Sequence, residues 1–282
     1  MTYPAKYAGR GLEPTASQCT RCPNRSMEMR IREKVSIFVI MAALIAWSTG
    51  SWAQIADQDP SSEWKHSLVL YLLAPTIDGK VGVGPINADV VIDPNTVFKS
   101  LDTGFLGVWS AEKGGWGLLV DIFYMDLSEA FSLPGGLVPG EIGITQLITG
   151  LYGQYRLTNS LQLMAGVMYT DVSLKLPPGG PPQLRYLKAG DNWADPMVGL
   201  RYATPISDRW SFDGFGQVGG FGVNADLVWQ LAGSFNYRMT KRSYFTAGYR
   251  YIDFDYESGN GFDRFKFNVV EHGPALGFRF NL

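Results

Sequence analysis

Between residues 54 and 282 the chain carries only two histidines, His66 and His272, the first candidates for general-base chemistry near neutral pH. A hydrolase or acyltransferase would also need a nucleophile or activated water beside the base, with groups to orient both. Ser67 follows His66, but neighbours on an extended strand point to opposite faces, which removes a simple dyad. A second constellation is acidic. Asp253, Asp255 and Glu257 alternate along one face, and Asn260 and Asp263 lie just beyond. Several hard oxygen ligands in one place suit a cation such as calcium. The stretch departs from an EF-hand loop, because its glycine, Gly259, comes one position late and Arg264 replaces the closing acid. The competing reading is a solvated hairpin tip.

Two other motifs lose their chemistry in context. Gly214-Phe215-Gly216-Gln217-Val218-Gly219 matches G-x-G-x-x-G, but a dinucleotide site requires a helix after it, and here another strand follows. Cys19 and Cys22 have the spacing of a redox or metal pair. They lie before Met27, in residues 1–26, which fit no part of a targeting signal and are read as upstream of the true start. No cofactor pattern remains.

The next segment sets the compartment. Arg30, Arg32 and Lys34 form a basic start, and residues 35–47 are apolar apart from Ser36. Ser51 and Ala53 supply the small residues that a signal peptidase reads. The apolar run falls short of the ~20 residues a membrane-spanning helix needs. Residues 27–53 therefore read as a signal-peptide helix cleaved near Ala53, leaving 54–282 as the exported domain. That domain has 17 basic and 23 acidic residues, a net charge of 17 − 23 = −6, and no cysteine. An acidic chain without basic runs argues against nucleic acid as a partner.

What must position any site is a series of long alternating segments. Ten strands are expected, over about 64–77, 103–112, 116–131, 141–157, 161–170, 193–204, 209–223, 227–238, 243–257 and 262–282. Alternation of apolar with polar or small residues at period two is the signature of a sheet with two unlike faces. In the fifth segment Leu161, Leu163, Ala165, Val167 and Tyr169 oppose Gln162, Met164, Gly166, Met168 and Thr170. Short turns follow the even-numbered strands, and the longer connections follow the first, third and fifth. That asymmetry fits a membrane barrel with short periplasmic turns and longer external loops. Eight or twelve strands remain open, because residues 80–93 can form an additional external hairpin. Trp64, Trp116 and Trp210 fall near periplasmic strand ends, and Tyr124, Tyr169, Trp193 and Trp229 near external ends, where aromatic rings form girdles.

The last strand carries a family resemblance. Leu276, Phe278, Phe280 and Leu282 share one face, while Ala275, Gly277, Arg279 and Asn281 share the other. This pattern resembles the terminal strand of bacterial outer-membrane β-barrels, in which a final apolar, usually aromatic, residue is read by the insertion machinery. Here that position is Leu282. The resemblance implies an all-β, closed, antiparallel up-and-down transmembrane barrel in the bacterial outer membrane. Its implied partners are outer-membrane lipid and lipopolysaccharide, with the insertion machinery engaged through the C-terminal strand.

The inward face of such a barrel should hold Asp121, Gln146, Arg201, Asp213, Gln217, Gln230, Arg238, Arg250, Glu271 and Arg279. A ten-stranded barrel has a backbone radius of about 10 Å, narrow enough for paired side chains to fill. The expected role is therefore a non-enzymatic barrel that presents external loops, structural or with a narrow path for ions or small solutes. The alternatives are an outer-membrane hydrolase or acyltransferase using the loop carboxylates Asp253, Asp255 and Asp263, and a soluble periplasmic β-barrel carrier.

Overall fold

The computed structural model describes residues 63–131, 142–175 and 189–282, without the side chains of 129–131. The expected leader, Cys19, Cys22 and parts of two external loops lie outside the described residues. The strands are β1 (Lys65–Leu73), β2 (Thr76–Val83), β3 (Ile86–Ile92), β4 (Leu101–Lys113), β5 (Trp116–Phe131), β6 (Ile142–Arg156), β7 (Leu161–Lys175), β8 (Gly190–Pro205), β9 (Trp210–Gly219), β10 (Leu227–Arg238), β11 (Ser243–Ser258) and β12 (Phe265–Asn281). A short helix, α1 (Pro94–Ser100), joins β3 to β4.

Ten of these strands, β1 and β4 to β12, form an antiparallel ring closed by β1 against β12. The closing register runs from Ser67 opposite Asn281 to Leu73 opposite Ala275. Leu282 extends it, its amide donating to the His66 carbonyl at 2.9 Å. Closure gives every ring strand two neighbours over at least part of its length, which removes most of the open edge that a bilayer does not tolerate. The all-β barrel expected from the alternation is thus the observed fold.

The first expected strand is divided. At Ala74-Pro75 the chain leaves β1, and β2 resumes the pairing with the upper part of β12, from His272 opposite Thr76 to Phe265 opposite Val83. Proline has no amide hydrogen for a ladder, so an interruption there follows from its chemistry. β3 then folds back on β2, giving the additional external hairpin that the sequence left open. Asp93 caps α1, its carboxylate accepting from the amides of Asn95 and Thr96 at 2.8 and 3.2 Å. These bonds and the Thr96 hydroxyl hold the Asp93 carboxyl below its ordinary pKa, the hydroxyl contributing most.

The wall has the two faces that the alternation requires. On β10, Trp229, Leu231, Phe235 and Tyr237 point outward, while Val228, Gln230 and Asn236 are buried inside. From Trp229 to Tyr237 the strand covers about 27 Å at ~3.4 Å per residue, or roughly 20 Å of height when tilted by ~40°. That is the scale of a barrel's apolar band. Aromatic pairs mark its rims, with Trp116 against Tyr155 and Trp210 against Tyr237 below. Above, Trp229 stacks on Tyr251 and His272 stacks beside Tyr251.

Trp193 breaks the expected girdle. It is buried inside the barrel, stacked on Tyr256 with centroids 3.7 Å apart and packed near Phe254 and Phe267. Its parity explains why. Trp193 is eight residues before Arg201 on β8, an even separation, so both point to the lumen.

Candidate functional site in the barrel lumen

The lumen has three zones, each set by what the inward positions of the strands supply. The external half is mainly apolar, with Thr170 and Asp195 buried among its side chains. Phe123 and Met125 from β5, Ile148 from β6, Met168 from β7, Ile252 and Phe254 from β11, and Phe267 and Val269 from β12 pack around Trp193 as a dry core. Apolar side chains of this size exclude water and close-pack as in a soluble core.

At mid-height the core meets a polar cluster. Arg250 on β11 donates to Asp121 on β5 at 2.8 Å, to the Tyr71 hydroxyl at 2.6 Å and to Gln230 at 3.0 Å. Gln230 in turn donates to Gln217 at 2.6 Å. Just above, Gln146 on β6 donates to Glu271 on β12 at 2.7 Å. Asp121, Arg250, Gln146, Gln217, Gln230 and Glu271 are all nearly inaccessible. Charges taken this far from water are tolerated only when paired and hydrogen-bonded, as the Asp121–Arg250 pair is.

The periplasmic half is less buried. Arg201 on β8 donates to Asp213 at 2.7 Å and to Glu112 on β4 at 3.2 Å, and Arg156 also donates to Glu112, at 3.3 Å. Arg279 approaches Asp213 at 4.0 Å. Between this cluster and the mid-height one lies a cavity of about 120 Å³, lined by Arg201, Asp213, Asn236, Arg250 and Arg279 among others.

The contacts reach across the barrel, not merely along its wall. β5 and β11 are four strands apart around the ring, as are β6 and β12, β4 and β8, and β6 and β10. Asp121–Arg250, Gln146–Glu271, Glu112–Arg201 and Tyr152–Gln230 therefore join nearly opposite walls. Side chains that touch from opposite walls fill the space between them.

Of the lumen residues expected from sequence, Asp121, Gln146, Arg201, Asp213, Gln217, Gln230, Arg250, Glu271 and Arg279 all lie on the inward face. Arg238 shares their parity but is exposed at the periplasmic rim. Sequence reasoning passed over Tyr71, Glu112 and Tyr152. The signal was available in parity, since Tyr71 is four residues from Ser67 and Tyr152 six from Gln146.

The acidic face of β11 holds its positions on the outside of the wall. The Trp229 indole donates to Asp253 at 3.2 Å, Asn268 donates to Asp255 at 2.6 Å, and Arg264 and Lys266 donate to Glu257 at 2.6 and 2.8 Å. Glu257, above the aromatic rim, has its pKa lowered chiefly by the Arg264 hydrogen bond. Asp263 sits in the 3-10 turn that follows. Among the described residues no three His, Cys, Asp or Glu side chains form a group that could hold a metal ion. His66 is on the outer wall between Trp64 and Trp109, and Ser67 is inside, bonded to Ser110 at 2.8 Å. His272, also outward, meets the Tyr249 hydroxyl at 2.6 Å. The two imidazoles thus belong to separate aromatic patches.

No family model matches the chain, and no curated protein matches it by sequence. Among solved structures it is similar to the outer membrane protease OmpT from Escherichia coli, at 7% identity over 81% of this chain and 100% of that one, with a TM-score of 0.48. It is also similar to the outer membrane protein OprG from Pseudomonas aeruginosa, at 16% identity over 77% and 95%, TM-score 0.31. A third is the outer membrane protein AlkL, at 14% identity over 83% and 96%, TM-score 0.36. Nothing of those proteins' activities carries over at such scores. The closed ladder, the apolar outer band and its aromatic rims make the chain an antiparallel β-barrel of the bacterial outer-membrane type.

Proposed function

We propose that this protein is a closed outer-membrane barrel, a membrane-anchored scaffold that holds its external loops at the cell surface without conducting solutes. The observation that supports this most directly is the set of contacts between nearly opposite walls, above all Asp121–Arg250 and Gln146–Glu271. An ion crossing the mid-height cluster would have to break a buried charge pair, and above it would enter a close-packed, mainly apolar core with few polar groups, such as Thr170 and Asp195, to replace its hydration. The periplasmic cavity ends against that cluster.

The test is conductance of the folded protein in planar bilayers. Silence over the physiological voltage range is expected for the wild type. Stepwise openings of uniform size would overturn the closed reading in favour of a narrow pore for ions or small solutes. The comparison protein is Arg250→Ala with Asp121→Ala, in which the polar cluster loses its central pair.

A further inference from the structure

One part of the wall is not closed by a ladder. β1 and β4 pair only from Lys65 opposite Glu112 up to Leu70 opposite Gly107. Above that level β4 pairs with β5 alone, while the other side of the gap is the top of β1 and the β2–β3 hairpin. β3 is the free edge of that hairpin, and α1 crosses the gap on its way into β4. Val97 of α1 points into the gap and is buried, but Phe98 beside it is 52% exposed.

An apolar cavity of about 40 Å³ lies at this seam. Its lining includes Leu72 and Tyr124, which face outward, together with Leu73, Leu106, Phe123 and Met125, which face the lumen core. These residues come from β1 and from β4 and β5, the two sides of the stretch where β1 and β4 do not pair. Gly104 lies opposite Met125, on the inward side, yet it is exposed, as expected for a position at an opening. The seam also has a defined height. Leu72 is level with Leu276, inside the outer apolar band and below the aromatic patch of Tyr251 and His272. Leu72 is 66% exposed and Phe105 51%, so both meet the bilayer's hydrocarbon.

We propose that this seam is a docking site for the end of a lipid acyl chain from the outer leaflet, which enters between Leu72 and Phe98 and reaches Phe123 and Met125. The occupant follows from position and chemistry. The opening lies at the depth of the outer apolar band and its lining is apolar, which suits a hydrocarbon chain and not a polar headgroup. The site is independent of the closed lumen, because it opens sideways and above the Asp121–Arg250 cluster.

The experiment uses the folded protein in phospholipid vesicles containing a lipid with a diazirine at the acyl-chain end. After illumination, adducts are mapped by mass spectrometry. Adducts are expected on inward-facing Leu106, Phe123 or Met125 as well as on outward Leu72 and Phe105. Gly104→Leu is the blocking variant, since a Cβ there would have the Leu101 side chain and the Tyr124 carbonyl as its nearest neighbours, at 3.4–3.7 Å. It should lose the inward adducts and keep the outward ones. Wild-type adducts confined to outward residues would overturn the proposal, even if the variant failed to fold. So would inward adducts that persist in folded Gly104→Leu. Inward labelling by a water-soluble diazirine but not by the lipid would make the seam an aqueous cleft and overturn it equally.

Discussion

Arg250 and Asp121 meet at 2.8 Å although their strands are four apart around the ring, and each side chain is only 6% exposed. This pair is the centre of the mid-height cluster, and it ties two walls of the barrel through the lumen. Removing one member strands the other as a buried charge. Arg250→Met alone should cost about 3–5 kcal/mol, whereas Arg250→Met with Asp121→Leu should recover much of that loss. Urea unfolding from vesicles, followed by tryptophan fluorescence, measures both. Additive losses in the double variant would show that the two residues do not act as a pair.

Trp193 and Trp229 should behave as opposites. Trp193 is in the lumen core and Trp229 on the outer wall, so brominated lipids should quench the fluorescence of a protein retaining only Trp229 and spare one retaining only Trp193. Trp193→Ala opens a void beside Tyr256 and Phe254 and should cost about 3–5 kcal/mol. Strong lipid quenching of Trp193 would return it to the girdle.

Gly150 leaves room for a neighbour. A Cβ there would overlap the Tyr152 ring, which is buried and whose hydroxyl receives a bond from Gln230. Gly150→Ala should therefore destabilise by roughly 1–3 kcal/mol through overpacking. Gly150→Ala with Tyr152→Leu should recover part of it. An unchanged unfolding midpoint in the single variant would show that the ring can move aside freely.

Glu257 gives the external hairpin a pH dependence of known sign. Its folded pKa is lowered by Arg264 and Lys266, so the stabilisation is present above the unfolded value of about 4.3 and lost as pH falls through the folded value. The carboxylate is substantially exposed, which limits the effect to about 0.5 kcal/mol. Amide exchange at the β11–β12 hairpin should accelerate as pH falls through the lowered folded value in the wild type, and Glu257→Gln should flatten that response. An identical pH profile in the variant would assign the response to another group.

How much of this was legible beforehand differs from residue to residue. The parity of Arg250, Glu271 and Arg279 placed all three inside correctly, because a strand's side chains alternate whatever it pairs with. The same rule places Trp193 beside Arg201, yet the expected girdle had put it outside. A tryptophan near a strand end suits a membrane interface as well as a core, so composition there misled where parity did not.

The sequence by itself determined the alternation, the apolar outer face, the closing strand from Leu276 to Leu282 and the inward parity of most of the polar lumen residues. These are local properties, carried by residues two apart on one strand. Only the tertiary structure decided that Asp121 meets Arg250, that Gln146 meets Glu271, and that the wall parts above Leu70 and Gly107. Those depend on strand register, on the curvature that brings opposite walls together, and on where Pro75 lets the chain change partners. Each joins residues far apart in the chain, and period-two patterning holds no information about distance across a ring.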